Sequence, residues 1–226
     1  MWGKASFNDW LILYRDSKSY DFIENHEHYD FLHFVLYYKN IPVLIDSGRA
    51  SYVDNHQHFK ATSAMFHNSL TIDGVAYKAN KNKLYPRDYY KNKCSVSKEM
   101  HDDSLEIIFY TDGFNRIDKN INFMRKIIIT NTKFIVNDNS FSNQVHSIEN
   151  FFHFDKNIKL EATSNTAILN IKDNNLIFNK FDNYLKSNNH LSLMSTKYGE
   201  IHNKPVLHSI NKISSEMKVI HSLEVA

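Results

Sequence analysis

At 226 residues, with 42% hydrophobic and 14% aromatic side chains, the chain is long enough to bury a sizeable core and rich in residues that favour strands. Its 27 basic and 25 acidic residues leave a net charge of +2, and only 5 of the basic ones are arginine, which excludes a broad basic face for nucleic acid or an anionic membrane. The single cysteine, Cys94, excludes an intramolecular disulfide and a cysteine zinc cluster, and it reads as a buried, inert thiol.

The opening MWGKASFNDWLILYRDSKSY lacks the basic segment and small-residue cleavage site of a secretory signal, so no export address is expected from it. No apolar run approaches the roughly 20 residues that a membrane helix needs, and no membrane insertion is expected. From the N-terminus onward, WLILYR, FLHFVLYY, IPVLID, SLTIDG, SLEIIFYT, RKIIITN, KFIVNDNS, FFHF, TAILNI and NLIFNKF are short β-branched and aromatic runs between polar clusters. Their spacing predicts an all-β fold, an antiparallel multi-stranded β-sandwich of two stacked sheets, as one domain over residues 1–226. Helical periodicity is weak throughout. With only 3 Pro and 5 Gly, Asn and Asp are expected to make the turns, as in VNDNS and KDNN. The tyrosine-bearing stretch NKNKLYPRDYYKNKC reads as a polar loop, a surface excursion or a substrate-facing lid.

The run ENHEHYDFLHFVLYY places His26, His28 and Asp30 at alternate positions of a predicted strand, with Tyr29, Phe31 and His33 on its other face. An H-x-H pair alone is a weak signal. Thirteen histidines produce about one such pair by chance, and His56 with His58 makes a second. The setting is more informative. Asp46 closes the next apolar run at a DSG turn, and His67 opens the one after, so three strand ends can bring His28, Asp46 and His67 together. Two imidazoles and a carboxylate suit Zn2+ with a fourth position open; structural histidines satisfied by hydrogen bonds are the alternative. His56, His58, His101, His190, His202, His208 and His221 read as solvated, and His146 and His153 as core hydrogen bonders.

At these residues the sequence resembles the C-terminal β-sheet domain of the heparinase II/III-like polysaccharide lyases. The resemblance is carried by NHEHYDFLHFVLYYKNIPVLIDSGRASY, similar to the family's H-x-H-x-D strand, D-x-G turn and nearby Tyr, and by HNSLTIDG. Weaker likeness continues through MRKIIITNTKFIVNDNSF, IENFFHFDKNIKL and STKYGE, so nearly the whole chain is covered. The large N-terminal α/α toroid of these lyases has no counterpart in the sequence, which resembles their C-terminal half.

The resemblance implies β-elimination of acidic, uronic-acid-containing polysaccharides such as glycosaminoglycans, by bacterial enzymes of the periplasm or exterior. It implies that His28, Asp46 and His67 hold the metal, that His26 and Tyr52 are catalytic, and that Arg49 and Asn68 bind substrate. Asp30 is expected to orient the histidines as a hydrogen-bond acceptor, or simply to start the strand. A helical toroid or a partner chain is expected to complete the cleft, and this polypeptide alone is expected to show weak or no turnover. A non-catalytic carbohydrate-binding or structural sandwich of polysaccharide assembly is the alternative. A cupin-like metal enzyme fits less well, since it wants a Glu and a later His at a different spacing.

Overall fold

The computed structural model describes residues 2–16, 28–49, 62–77, 93–180, 183–185, 190–197, 199–213 and 216–226. In chain order the strands are β1 (Trp2–Phe7), β2 (Trp10–Arg15), β3 (Phe34–Tyr38), β4 (Ile41–Leu44), β5 (Leu70–Ile72), β6 (Cys94–Met100), β7 (Leu105–Thr111), β8 (Phe123–Ile129) and β9 (Lys133–Phe141). There follow β10 (His146–His153), β11 (Lys159–Ala162), β12 (Thr166–Ile171), β13 (Asn174–Asn179), β14 (Asn183–Leu185), β15 (Leu193–Met194), β16 (His202–Asn203), β17 (Val206–Ile213) and β18 (Glu216–Val225). The helical elements among the described residues are two short 3-10 turns, Ala64–Phe66 and His190–Ser192, and no helix is long and apolar enough to cross a membrane.

Strands β1 to β4 form an antiparallel meander, and β14-β17-β10-β5 form a second four-stranded sheet. The two meet edge to edge. Leu44 at the end of β4 bridges Phe154, Ile45 N–H donates to His153 O at 2.8 Å, and Asp155 N–H donates to Val43 O at 3.1 Å. The opposite layer is one eight-stranded sheet, ordered β11-β12-β13-β18-β9-β8-β7-β6. β15 and β16 pair separately.

Period-two burial explains the stacking. β2 alternates buried Trp10, Ile12 and Tyr14 with half-buried neighbours, and β8 alternates buried Phe123, Arg125, Ile127 and Ile129. Their inward faces merge in one core, where Phe34 meets Phe134 with ring centroids 5.3 Å apart and Phe152 meets Phe178 at 4.9 Å. Burying such rings is the main drive that holds the two layers together. The all-β sandwich read from the sequence is the observed fold.

Local expectations fare unevenly. KDNN makes the β12–β13 turn, with Lys172 at φ 48. VNDNS is no turn but the middle of β9, because Asp138 points inward and pairs with Arg125. Residues 28–33 are not strand: residues 30–33 form a turn closed by His33 N–H to Asp30 O at 3.0 Å, and the strand begins only at Phe34. Strict alternation therefore fails for residues 28–33. Cys94 is half-buried rather than buried, at the start of edge strand β6, its Sγ 3.4 Å from Thr111 Oγ1. Most of the tyrosine-bearing stretch, residues 80–92, lies outside the described residues.

Candidate metal centre

Past Leu44 the chain leaves β4 and continues through Asp46, Ser47 and Gly48, where Gly48 has a positive φ. Asp46 Oδ1 accepts the Gly48 N–H at 2.6 Å, the side chain closing the turn upon itself. Gly48 has φ +66, and a Cβ there would lie 1.9 Å from the carbonyl oxygen of Ser195, so only glycine fits. Ser195 N–H in turn donates to Ser47 O at 2.8 Å, and Ser47 Oγ donates to Phe66 O at 2.5 Å. With Oδ1 occupied, Asp46 presents Oδ2 to its neighbours.

Those neighbours are imidazoles. His67 leaves the Ala64–Phe66 turn with its ring fully buried, and its Nδ1 lies 2.9 Å from Asp46 Oδ2. His33 Nε2 lies 2.9 Å from the same oxygen. The ring of His28 stands 5.3 Å from that of His67, and the ring of His33 stands 5.0 Å from it. Asp46 keeps 32% of its side chain exposed, so the cluster opens to solvent on the carboxylate side.

A buried polar framework holds these groups. Asn68 Nδ2 donates to Phe34 O at 2.8 Å and Ile45 O at 3.1 Å, while its Oδ1 accepts His153 N–H at 2.7 Å. Arg125 of β8 spends all its donors on Asp138, Asn150, Leu32 O and Asn68 O. Thus one guanidinium ties the eight-stranded sheet to the chain just before His33 and just after His67. Beneath lies His153, with Nε2 2.9 Å from Met65 O and Nδ1 accepting from Lys204 Nζ at 2.8 Å. Lys204 also donates to Leu191 O at 2.8 Å.

Electrostatics follow from this packing. Burial alone would raise the pKa of Asp46, but His67 and His33 outweigh it and hold the carboxyl well below the usual range. Burial lowers His28 and His33, and lowers His153 further with help from the Lys204 charge, so these rings are neutral at pH 7. Lys204 is pushed down to about 7 by burial, partly offset by Asp46.

Asp46 and His67 thus come into direct contact and the His28 ring stands beside His67, while the ligand atoms that gather within 4.8 Å of one another are those of His33, Asp46 and His67. An ionised carboxylate and neutral imidazoles are the right donors for zinc, and His67 Nε2 is buried without a hydrogen-bond partner among the described residues. His26 and Tyr52 lie outside the described residues. Arg49 follows Gly48 and is half-buried. Asn68 is not a cleft residue: it is fully buried and its amide braces three backbone groups, which revises its expected role. Asp30 pairs with Arg15 Nε at 3.2 Å rather than with the site's histidines. Strand alternation puts His33 on the opposite face from His28; the turn at residues 30–33 brings it inward. His221 is likewise buried rather than solvated, and His208 is half-buried against Phe151.

The family model described as heparinase II/III-like, C-terminal, matches residues 10–216. The fold is similar to the heparan sulfate lyase HepC from Pedobacter heparinus, with TM-score 0.72, 15% identity, and 96% of this chain covering 33% of that one. It is similar also to Heparinase III, with TM-score 0.73, 14% identity and the same coverages. A protein from Synechocystis sp. PCC 6803 superposes at TM-score 0.53 and 7% identity, covering 100% of this chain and 96% of that one. At these identities the likenesses show fold alone. The chain spans about a third of the length of the two lyases. A search of curated proteins by sequence found no match.

Proposed function

Because the chain belongs to the heparinase II/III-like C-terminal family, we propose that it is the β-sandwich part of a polysaccharide lyase that cleaves uronic-acid-containing glycans by β-elimination. The observation that supports this most is the meeting of Asp46 and His67 at 2.9 Å, with the His28 ring 5.3 Å from that of His67.

In such a reaction a base takes the proton at C5, α to the uronate carboxyl, and an acid protonates the departing O4. Negative charge grows on the carboxyl group, so a fixed cation or strong donor there lowers the barrier. His26 and Tyr52 are the proposed acid–base groups. Arg49, carried by the turn that contains Asp46, is the proposed binder of the uronate carboxyl. Asp46, His67 and His28 would hold a zinc ion, which when bound supplies fixed positive charge and ties three chain segments together beside the cleft. A helical toroid or a partner chain would supply the cleft's other wall, and the setting would be bacterial periplasm or exterior.

A second reading, a non-catalytic carbohydrate-binding or structural sandwich, draws on one feature. The carboxylate of Asp46 already lies between two imidazoles, a network that can stand without an ion. Calorimetric titration with uronate-containing and neutral oligosaccharides, with ultraviolet detection of the unsaturated product, tests the proposal. Selective binding of the uronate sugars, weakened roughly tenfold in Arg49→Ala, is expected. Equal binding of neutral glycans, unchanged in that variant, would favour the second reading.

A further inference from the structure

His33, Asp46 and His67 bring two ring nitrogens and one carboxylate oxygen within 4.8 Å of one another, an arrangement that at first suggests His33 as a ligand beside His67. The other side of the His33 ring decides against it. The backbone N–H of Asn68 lies 2.9 Å from His33 Nδ1. A backbone N–H can only donate, so Nδ1 must offer its lone pair. In a neutral imidazole the proton then sits on Nε2, which leaves that nitrogen nothing to give a cation.

Switching the tautomer is costly here. It would set an Nδ1–H against the Asn68 N–H, in a place where both residues are 0% exposed and no solvent can relieve two facing donors. Nor can the Asn68 backbone easily turn away. Its side chain is held at three points, and its carbonyl accepts from Arg125 at 3.2 Å. The protonated Nε2 faces Asp46 Oδ2 at 2.9 Å, off the N–H axis, so the contact is electrostatic rather than an aligned hydrogen bond.

We propose that His33 is a positioning residue and not a ligand: its Nε2–H holds the Asp46 carboxylate in place, leaving a cation to His28, Asp46 and His67. This rests on the metal reading above. With Nε2 protonated, His33 adds no lone pair to those three donors. The carboxylate then has two fixed neighbours, with Gly48 N–H on Oδ1 and His33 on Oδ2.

Two measurements on the full chain test this. Long-range 1H–15N spectra of the histidine rings, with and without added Zn2+, report tautomer and ligation directly. His33 is expected to keep an Nε2–H in both, while His67 and His28 shift on zinc addition. In parallel, zinc affinity is compared for wild type, His33→Gln and His33→Leu. Gln places an amide N–H near the position of Nε2 and is expected to bind zinc within about threefold of wild type, whereas Leu is expected to weaken it about 10- to 100-fold. A zinc-shifted Nε2 in His33, or equal losses in Gln and Leu, would overturn the proposal while leaving the metal reading intact. A wild-type chain that takes up no zinc would overturn both.

Discussion

Arg125 and Asp138 face each other across β8 and β9 as a buried bidentate pair, Nε to Oδ1 at 2.7 Å and Nη2 to Oδ2 at 2.8 Å. The remaining guanidinium donors reach Asn150, Leu32 O and Asn68 O, so a residue distant in sequence fixes the two segments that carry His33 and His67. Removing one member of such a pair leaves an uncompensated buried charge. Arg125→Leu is expected to cost about 3–5 kcal/mol in urea unfolding, and the double variant with Asp138→Leu is expected to recover part of that loss. A single-variant loss under about 1 kcal/mol would show that the pair is dispensable.

The turn that aims Asp46 depends on Gly48. Gly74 has a similar positive φ, +71, but a Cβ there would meet nothing within 4 Å. Gly74→Ala is therefore expected to cost only the backbone strain, about 1–2 kcal/mol. Gly48→Ala must also push aside the Ser195 backbone and is expected to lose distinctly more, together with metal uptake. Thermal melts of the two variants side by side provide the comparison, and equal shifts would contradict the close approach.

His221 makes stability depend on acid. Its ring is buried, with Nδ1 2.7 Å from Lys180 O and Nε2 3.2 Å from Ser209 Oγ, and burial lowers its pKa to about 4. Because the unfolded chain holds that proton at a higher pH, near the ordinary 6.5, the unfolded state binds more protons between the two values. Its contribution is thus complete above about 6.5 and is lost as pH falls through about 4, on the order of 3 kcal/mol in all. In His221→Gln the slope of stability against pH across this window is expected to flatten. An unchanged slope would mean that the ring is not buried in its neutral form.

How far the sequence could be read depended on which residues carried period-two patterning. β2, β7 and β8 alternate buried and more exposed side chains, and they appear where the runs WLILYR, SLEIIFYT and RKIIITN predict them. Asp138 defeated that reading, since a buried charge in VNDNS looks like turn chemistry until its partner on β8 is seen. His221 was recoverable: Val219, His221 and Leu223 alternate inward along β18, a pattern outweighed in the sequence by polar neighbours. Asp46 and His67 could be paired from strand ends alone. His33 could not, because its inward placement depends on a turn at residues 30–33 inside a run whose composition says strand. The bracing role of Asn68 was hidden for a related reason, since its partners Phe34, Ile45 and His153 come from three different segments.

The most direct test is the zinc content of the purified chain, measured by elemental analysis beside His67→Ala and His28→Ala of verified fold. About one zinc per wild-type chain, lost in both variants, is the expected result. Wild-type protein that stays zinc-free after incubation with the metal, or variants that retain it fully, would contradict the assignment of Asp46, His67 and His28 as a metal centre.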